Sequence, residues 1–139
     1  MNIDTRPLTA DDQELVDLAR RTVDENSDGE VGVHTMGAAV RAADGRTFAG
    51  INVFHFTGGP CAELVALGHA RASGARELVT IVAVGDGGRG VQSPCGRDRQ
   101  VLADYHPDIR VIIPTEGGPV TVRAADLLPL AYVTPQEGV

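Results

Sequence analysis

Tryptophan is absent, and aromatic residues make up only 4% of the 139-residue chain. A core without large rings has to be assembled from aliphatic side chains, and Val, Leu, Ile and Ala supply it within a hydrophobic fraction of 42%. No apolar run approaches the roughly 18 residues that a membrane-spanning helix needs, which excludes that class. The N-terminus lacks a basic segment followed by an apolar stretch, so no secretory leader is expected. Positive charge is also scarce. Twelve basic against 19 acidic side chains give a net charge of -7 and a pI near 4.9. Polynucleotides are held through their phosphates by Lys and Arg, and anionic membranes by the same groups. Neither partner is expected, and a small neutral or cationic substrate fits better. There is no repeat, linker or low-complexity tract, so residues 1–139 read as one domain. Its length suffices to bury a core without disulfides or structural metal.

The two cysteines occupy matching settings, Pro60-Cys61-Ala62-Glu63 and Ser93-Pro94-Cys95-Gly96-Arg97-Asp98. Each follows a proline that stands where a helix can begin. This points to free or metal-bound thiols in a cytoplasmic protein rather than to a disulfide. Zinc takes Cys, His, Asp and Glu ligands, and a catalytic zinc keeps three protein ligands and one open position. Cys61, Cys95 and Asp98 would supply three, the last two sharing one helix face at a spacing of three. Helix starts favour thiolates through the macrodipole. Glu63 lies in an otherwise apolar helix, where an unpaired carboxylate is costly, and is placed to handle protons beside a metal. Taken singly, each residue also has an ordinary structural reading: cysteine as a small hydrophobe, an acid in a first turn as a dipole partner.

Hydrophobic periodicity predicts a helix from Thr9 to Asn26, opened by Thr9 and Asp12 as a capping box. It predicts strands over 33–43 and 47–52 joined by an Asp44-Gly45 hairpin, and a buried helix over 60–73. A central strand over 78–84 follows, then a helix over 94–105, strands over 110–113 and 120–122, and a final helix over 124–128. The class is α/β, a three-layer α/β/α arrangement with a mixed five-stranded sheet. The Gly85–Gly90 loop lacks the Lys-Ser/Thr ending of a phosphate loop. Of the four histidines, His55 alone falls near the cysteines.

Cys61-Ala62-Glu63 followed by Pro94-Cys95-Gly96 and by Arg99-Gln100 resembles the zinc-dependent cytidine deaminase superfamily. Within it the likeness is to blasticidin-S deaminase, through Gly50 to Leu64, Ser93 to Arg97 and Leu127-Leu128-Pro129. The resemblance implies a cytidine deaminase-like fold, a homotetramer, a Zn²⁺ ion and hydrolytic deamination. The substrate would be a cytosine-type nucleoside (blasticidin S or cytidine-like) or a related amino-heterocycle. Metal-bound hydroxide would attack the amino-bearing ring carbon while Glu63 shuttles protons. Asn52 would contact the sugar, backbone around Ala62 and Ser93 would hold the base, and Phe54 and Tyr132 would line the pocket. Arg97 or Arg99 would offset the charge of the ligands. Three departures stand out. Asp98 occupies the second thiolate position, Phe54 stands where cytidine deaminases carry glutamate, and Thr134 follows Val133 in place of an aromatic residue. Two readings stay open: a working zinc aminohydrolase, or a deaminase-fold protein that binds a nucleoside or partner without turnover, its zinc lost or weakened by Asp98.

Overall fold

The first helix shows how locally the chain fixes its own geometry. In the computed structural model, which describes residues 2–133 and 135, strand β1 (Arg6–Pro7) leads into helix α1 (Ala10–Asn26). The Thr9 hydroxyl accepts from the Asp12 N–H at 3.1 Å, and the Asp12 carboxylate accepts from the Thr9 N–H at 3.0 Å. This is the expected capping box. Asp12 also accepts from Arg41 at 3.0 Å, and Arg41 donates to the Thr80 hydroxyl at 3.0 Å. One buried carboxylate thus caps α1 and ties it to the sheet.

The remaining elements are β2 (Met36–Ala42), β3 (Thr47–Ile51), α2 (Ala62–Ala72), β4 (Leu78–Gly85), β5 (Gly90–Gln92), α3 (Gly96–Tyr105), β6 (Arg110–Ile113) and β7 (Val120–Arg123). Short 3-10 turns lie at Gly29–Val31 and Ala124–Leu127. The sheet order is β1-β7-β6-β4-β2-β3, with β5 also paired to β4. The β4–β6 pair is parallel and the other pairs are antiparallel, so the sheet is mixed as expected. It has seven strands instead of five. The two extra strands are short. β1 is a two-residue edge on β7, and β5 folds back on β4 through the glycine-rich turn, with Val91 its one large apolar residue. Neither carries enough alternating apolar residues to be visible as a strand in sequence. The final helix is a 3-10 turn ending at Leu127.

Alternation along the strands splits the core between the two faces. Ala39, Val82, Val84 and Ile112 pack with Leu15, Val16 and Ala19 of α1. Val40, Ile81, Ala83 and Val111 pack with Ala62, Ala66 and Ala70 of α2 and with Leu102 of α3. Helices therefore cover both faces of the sheet, as in the α/β/α expectation. Among the described residues no helix is long and apolar enough to cross a membrane.

Two features of this frame place the cysteine segments. Helix α2 lies against β3 at Gly50, where an added Cβ would stand 2.5 Å from the Ala66 nitrogen and 2.8 Å from the Ala62 carbonyl oxygen. On its edge facing β6, β4 changes partner. Thr80 and Ile81 pair with β6, and Ala83 to Gly85 pair with β5. The returning β5 delivers Ser93-Pro94-Cys95 beside the start of α2. Gly50→Ala is therefore expected to destabilise the protein by about 1–3 kcal/mol through overpacking, read as a fall in the thermal unfolding midpoint. Gly68→Ala, at a site in α2 where an added Cβ meets nothing within 4 Å, is expected to be neutral or stabilising by up to about 1 kcal/mol.

Candidate active site

Each cysteine is the N-cap residue of its helix, Cys61 for α2 and Cys95 for α3, and neither side chain caps its own helix. The helices start one residue after the cysteines, so the prolines stand just outside. Both sulfurs are left to face one another. Cys61 Sγ lies 3.5 Å from Cys95 Sγ, and Cys95 Sγ lies 3.3 Å from Asp98 Oδ2. One ligand atom from each of the three residues falls within 4.8 Å of the other two. Asp98 is 1% exposed, and its other carboxylate oxygen, Oδ1, is buried with no hydrogen-bond partner among the described residues. Glu63, in the first turn of α2, is 6% exposed.

This arrangement is deficient in positive charge. Burial pushes the Glu63 carboxyl up to about 8, and the adjacent Asp98 carboxylate adds to the effect. Burial likewise pushes the Cys61 thiol up to about 11. Arg97 opposes that rise, while Cys95 and Asp98 reinforce it. The helix start was expected to make Cys61 a ready thiolate. Desolvation and two acidic neighbours outweigh the dipole at this thiol. A cation between the two sulfurs and Asp98 removes the conflict, because it gives the orphaned carboxylate a partner and favours the deprotonated thiols. The donor set, two sulfurs and one carboxylate, suits zinc. The residues present fit that ion.

Arg97 ties the loop before α2 to this cluster. Its guanidinium donates to the carbonyls of Gly59 at 2.7 Å and Gly58 at 3.3 Å, and lies 3.6 Å from Cys61 Sγ. Gly59 is required there, since a Cβ would run into the Val53 carbonyl. Arg99 faces elsewhere, donating to the carbonyls of Pro94 and Leu127. It fastens the start of α3 to the C-terminal turn.

A cleft of about 480 Å³ opens onto the cluster. Of the anticipated residues, Cys61, Ala62, Glu63, Cys95, Asp98, Asn52, Phe54, Ser93 and Arg97 all border it, and so does His55. A cleft of similar size on the α1 face has neither thiol in its wall. Met36 and Gln92 border this cleft and were not anticipated. Met36 opens a strand, and Gln92 lies in the strand that sequence pattern does not reveal. Tyr132 is not among the bordering residues. Gln100 of α3 donates to its carbonyl at 3.1 Å, and its side chain is 71% exposed. The Tyr132 backbone is thereby held to α3. Thr134 lies outside the described residues.

Asn52 is placed as anticipated but otherwise engaged. Its Oδ1 accepts from the N–H groups of Thr35 at 2.8 Å and Met36 at 2.9 Å. Its Nδ2 donates to the Val33 carbonyl at 3.0 Å and approaches the Thr35 hydroxyl at 3.5 Å. His34 Nδ1 reaches the Asn52 carbonyl at 2.7 Å. The side chain thus braces residues 33–36, where β2 begins.

With the fold and this geometry in hand, comparison with known proteins gives a consistent class. The sequence pattern of the cytidine deaminase-like family matches residues 8–118. The chain is 33% identical over 138 residues to a protein of Bacillus cereus named blasticidin-S deaminase, covering 90% of this chain and 94% of that one. It is 37% identical over 101 residues to a cytidine deaminase of Halalkalibacterium halodurans, covering 70% and 76%. The crystal structure of cytidine deaminase from Burkholderia pseudomallei matches with a TM-score of 0.71 and 32% identity, over 90% of this chain and 100% of that one. The chain belongs to the cytidine deaminase-like family.

Asn52→Ala removes the acceptor of two part-buried backbone N–H groups and is expected to cost about 1–2 kcal/mol. Chemical denaturation measures this directly. A stability unchanged from the parent would show that the amide does not brace the start of β2.

Proposed function

We propose that this protein is a zinc-dependent hydrolytic deaminase acting on a cytosine-type nucleoside or a related amino-heterocycle. The observation that carries the reading is the buried Glu63 carboxyl beside a convergent Cys61–Cys95–Asp98 cluster at the foot of an open cleft. Zinc would be held by Cys61, Cys95 and Asp98, and when bound there it supplies the activation of water near neutral pH. Glu63 takes the proton that water gives up and passes it to the ring nitrogen. It then carries the second proton to the amino group, which departs as ammonia while the ring carbon keeps the oxygen. Burial suits Glu63 to this task, because a carboxyl that titrates near neutrality both accepts and returns protons. N–H groups at the start of α2, around Ala62, and the Ser93 segment hold the ring. Phe54 provides an apolar wall, Asn52 holds the backbone that forms the cleft's floor, and Arg97 fixes the loop over Cys61 and offsets ligand charge.

The whole chain acts as one domain in this reading. Its reduced thiols fit a cytoplasmic setting. A homotetramer would cover the apolar side chains that stand exposed around the cleft and tail, namely Phe54, Phe56, Leu130, Tyr132 and Val133. The names of the relatives, blasticidin-S deaminase and cytidine deaminase, support the reaction class.

Protein purified without added zinc is expected to carry about one zinc per chain, and Asp98→Cys the same, while Asp98→Ala carries well under half that amount. Elemental analysis decides it. An empty parent beside a filled Asp98→Cys variant would remove the basis for catalysis and leave a binding protein. Glu63→Ala is expected to keep its zinc and to lose ammonia release by about 10²–10⁴-fold, measured with cytidine, deoxycytidine, cytosine and blasticidin S. Retained turnover in that variant would sink the proton-transfer role.

A further inference from the structure

Cys61 and Cys95 stand at the starts of α2 and α3 on extended backbone, and neither side chain bonds to its own helix. Their sulfurs lie 3.5 Å apart, brought together across 34 positions of the chain. A disulfide holds its sulfurs about 2.05 Å apart, so joining this pair takes a further approach of roughly 1.5 Å. Cys95 is exposed and Cys61 partly buried. Both border the cleft of about 480 Å³, which gives a small oxidant access from solvent. The chain has two cysteines in all. Asp98 occupies the place of a third ligand thiol, and a carboxylate takes no part in thiol–disulfide exchange. Three thiols at one metal site would allow three pairings, with the odd thiol left to attack whichever bond had formed. Two thiols and a carboxylate allow one pairing and leave no resident thiol to undo it.

We propose that Cys61 and Cys95 form a reversible modification site, closing to an intramolecular disulfide under a peroxide and so withdrawing both sulfurs from the metal position. The Cys95 sulfur, the more exposed of the two, attacks the peroxide. The O–O bond breaks, one oxygen stays on sulfur as a sulfenic acid, and the other leaves as water with the thiol proton. The Cys61 sulfur then displaces the sulfenic hydroxyl, which departs with the Cys61 proton as a second water. One S–S bond has formed, the two sulfurs have given up two electrons, and hydrogen peroxide has taken them. An external dithiol reverses the step by returning two electrons and two protons. Thiolate is the metal-binding form of cysteine, so after closure Asp98 alone remains of the three ligands and zinc is released. The pairing itself stands apart from the deaminase reading, and only the loss of zinc rests on it.

The protein as purified is treated with hydrogen peroxide and followed by mass spectrometry, by thiol titration and by a zinc-responsive dye. Each chain is expected to become lighter by two hydrogens, to lose both thiols and to yield a peptide linking Cys61 to Cys95, with one zinc appearing per disulfide. Dithiothreitol restores the original mass and thiols. Closure in the folded protein is expected to be at least about tenfold faster than in urea, since the fold holds the sulfurs together. Added zinc slows it. Asp98→Cys is expected to lose the same two hydrogens yet to keep one titratable thiol, its linkage spread over three pairs. Cysteines that gain oxygen without joining, linkage only between chains, equal rates in urea, or zinc kept after the disulfide has formed each overturn the proposal. If the disulfide forms as expected in a chain that carries no zinc, at a rate indifferent to added zinc, the metal of the deaminase reading fails and the modification site stands.

Discussion

Four acidic groups gathered where two helices begin set the terms for the rest of this structure. Cys61, Glu63, Cys95 and Asp98 cannot all be ionised at their observed spacing without a cation. Two unit charges 4 Å apart repel by about 4 kcal/mol even at the effective dielectric of a protein surface, and Asp98 and Glu63 are buried. The upward displacement of Glu63 and of the Cys61 thiol expresses that conflict. Helix N-termini and Arg97 relieve part of it. A divalent ion held there would relieve the rest, and its binding would then be coupled to proton release.

The frame brings the two helix starts together by different means. For α2 the determinant is close packing: Gly50 lets the helix backbone lie directly on β3. For α3 it is strand exchange, with β5 taking over from β6 along β4 and carrying the chain back to Cys95. Arg97 then connects the two, since it belongs to the first turn of α3 yet holds carbonyls of the loop that precedes α2. The far side of the sheet is secured independently, through Asp12, Arg41 and Thr80. Loop placement near the site therefore depends on few interactions, each traceable to a named side chain.

Much of this was legible in the sequence because it is written locally. Paired Pro-Cys segments, Thr9 with Asp12, and the apolar run at β4 each carry their structure within a few residues. The five longer strands and three helices follow from periodicity. What could not be read depends on partners remote in sequence. β1 and β5 exist because β7 and β4 offer free edges, not because their own residues favour strand. Asn52 could be located on the cleft wall, but its engagement with residues 33–36 requires knowing that β2 starts beside it. The thiol of Cys61 was expected to be acidified by its helix. Its real environment includes Cys95 and Asp98, brought in from 34 and more positions away. Tyr132 was expected at the cleft, and a hydrogen bond from Gln100 to its backbone accounts for its position against α3.

With zinc held as proposed, Asp98 in place of a thiolate need not end the metal site. A metal-bound carboxylate would carry the same formal charge as a metal-bound thiolate, so the total charge of the ligand set would be kept. What changes is softness, since oxygen binds zinc less selectively than sulfur does. The exchange therefore affects metal affinity and choice before it affects acid–base chemistry. Oδ1 of Asp98 is buried with no hydrogen-bond partner among the described residues. Buried oxygen without a partner is costly in a folded protein, and a cation between Asp98 and the two sulfurs, or a proton shared with the neighbouring Glu63 carboxyl, would offset that cost.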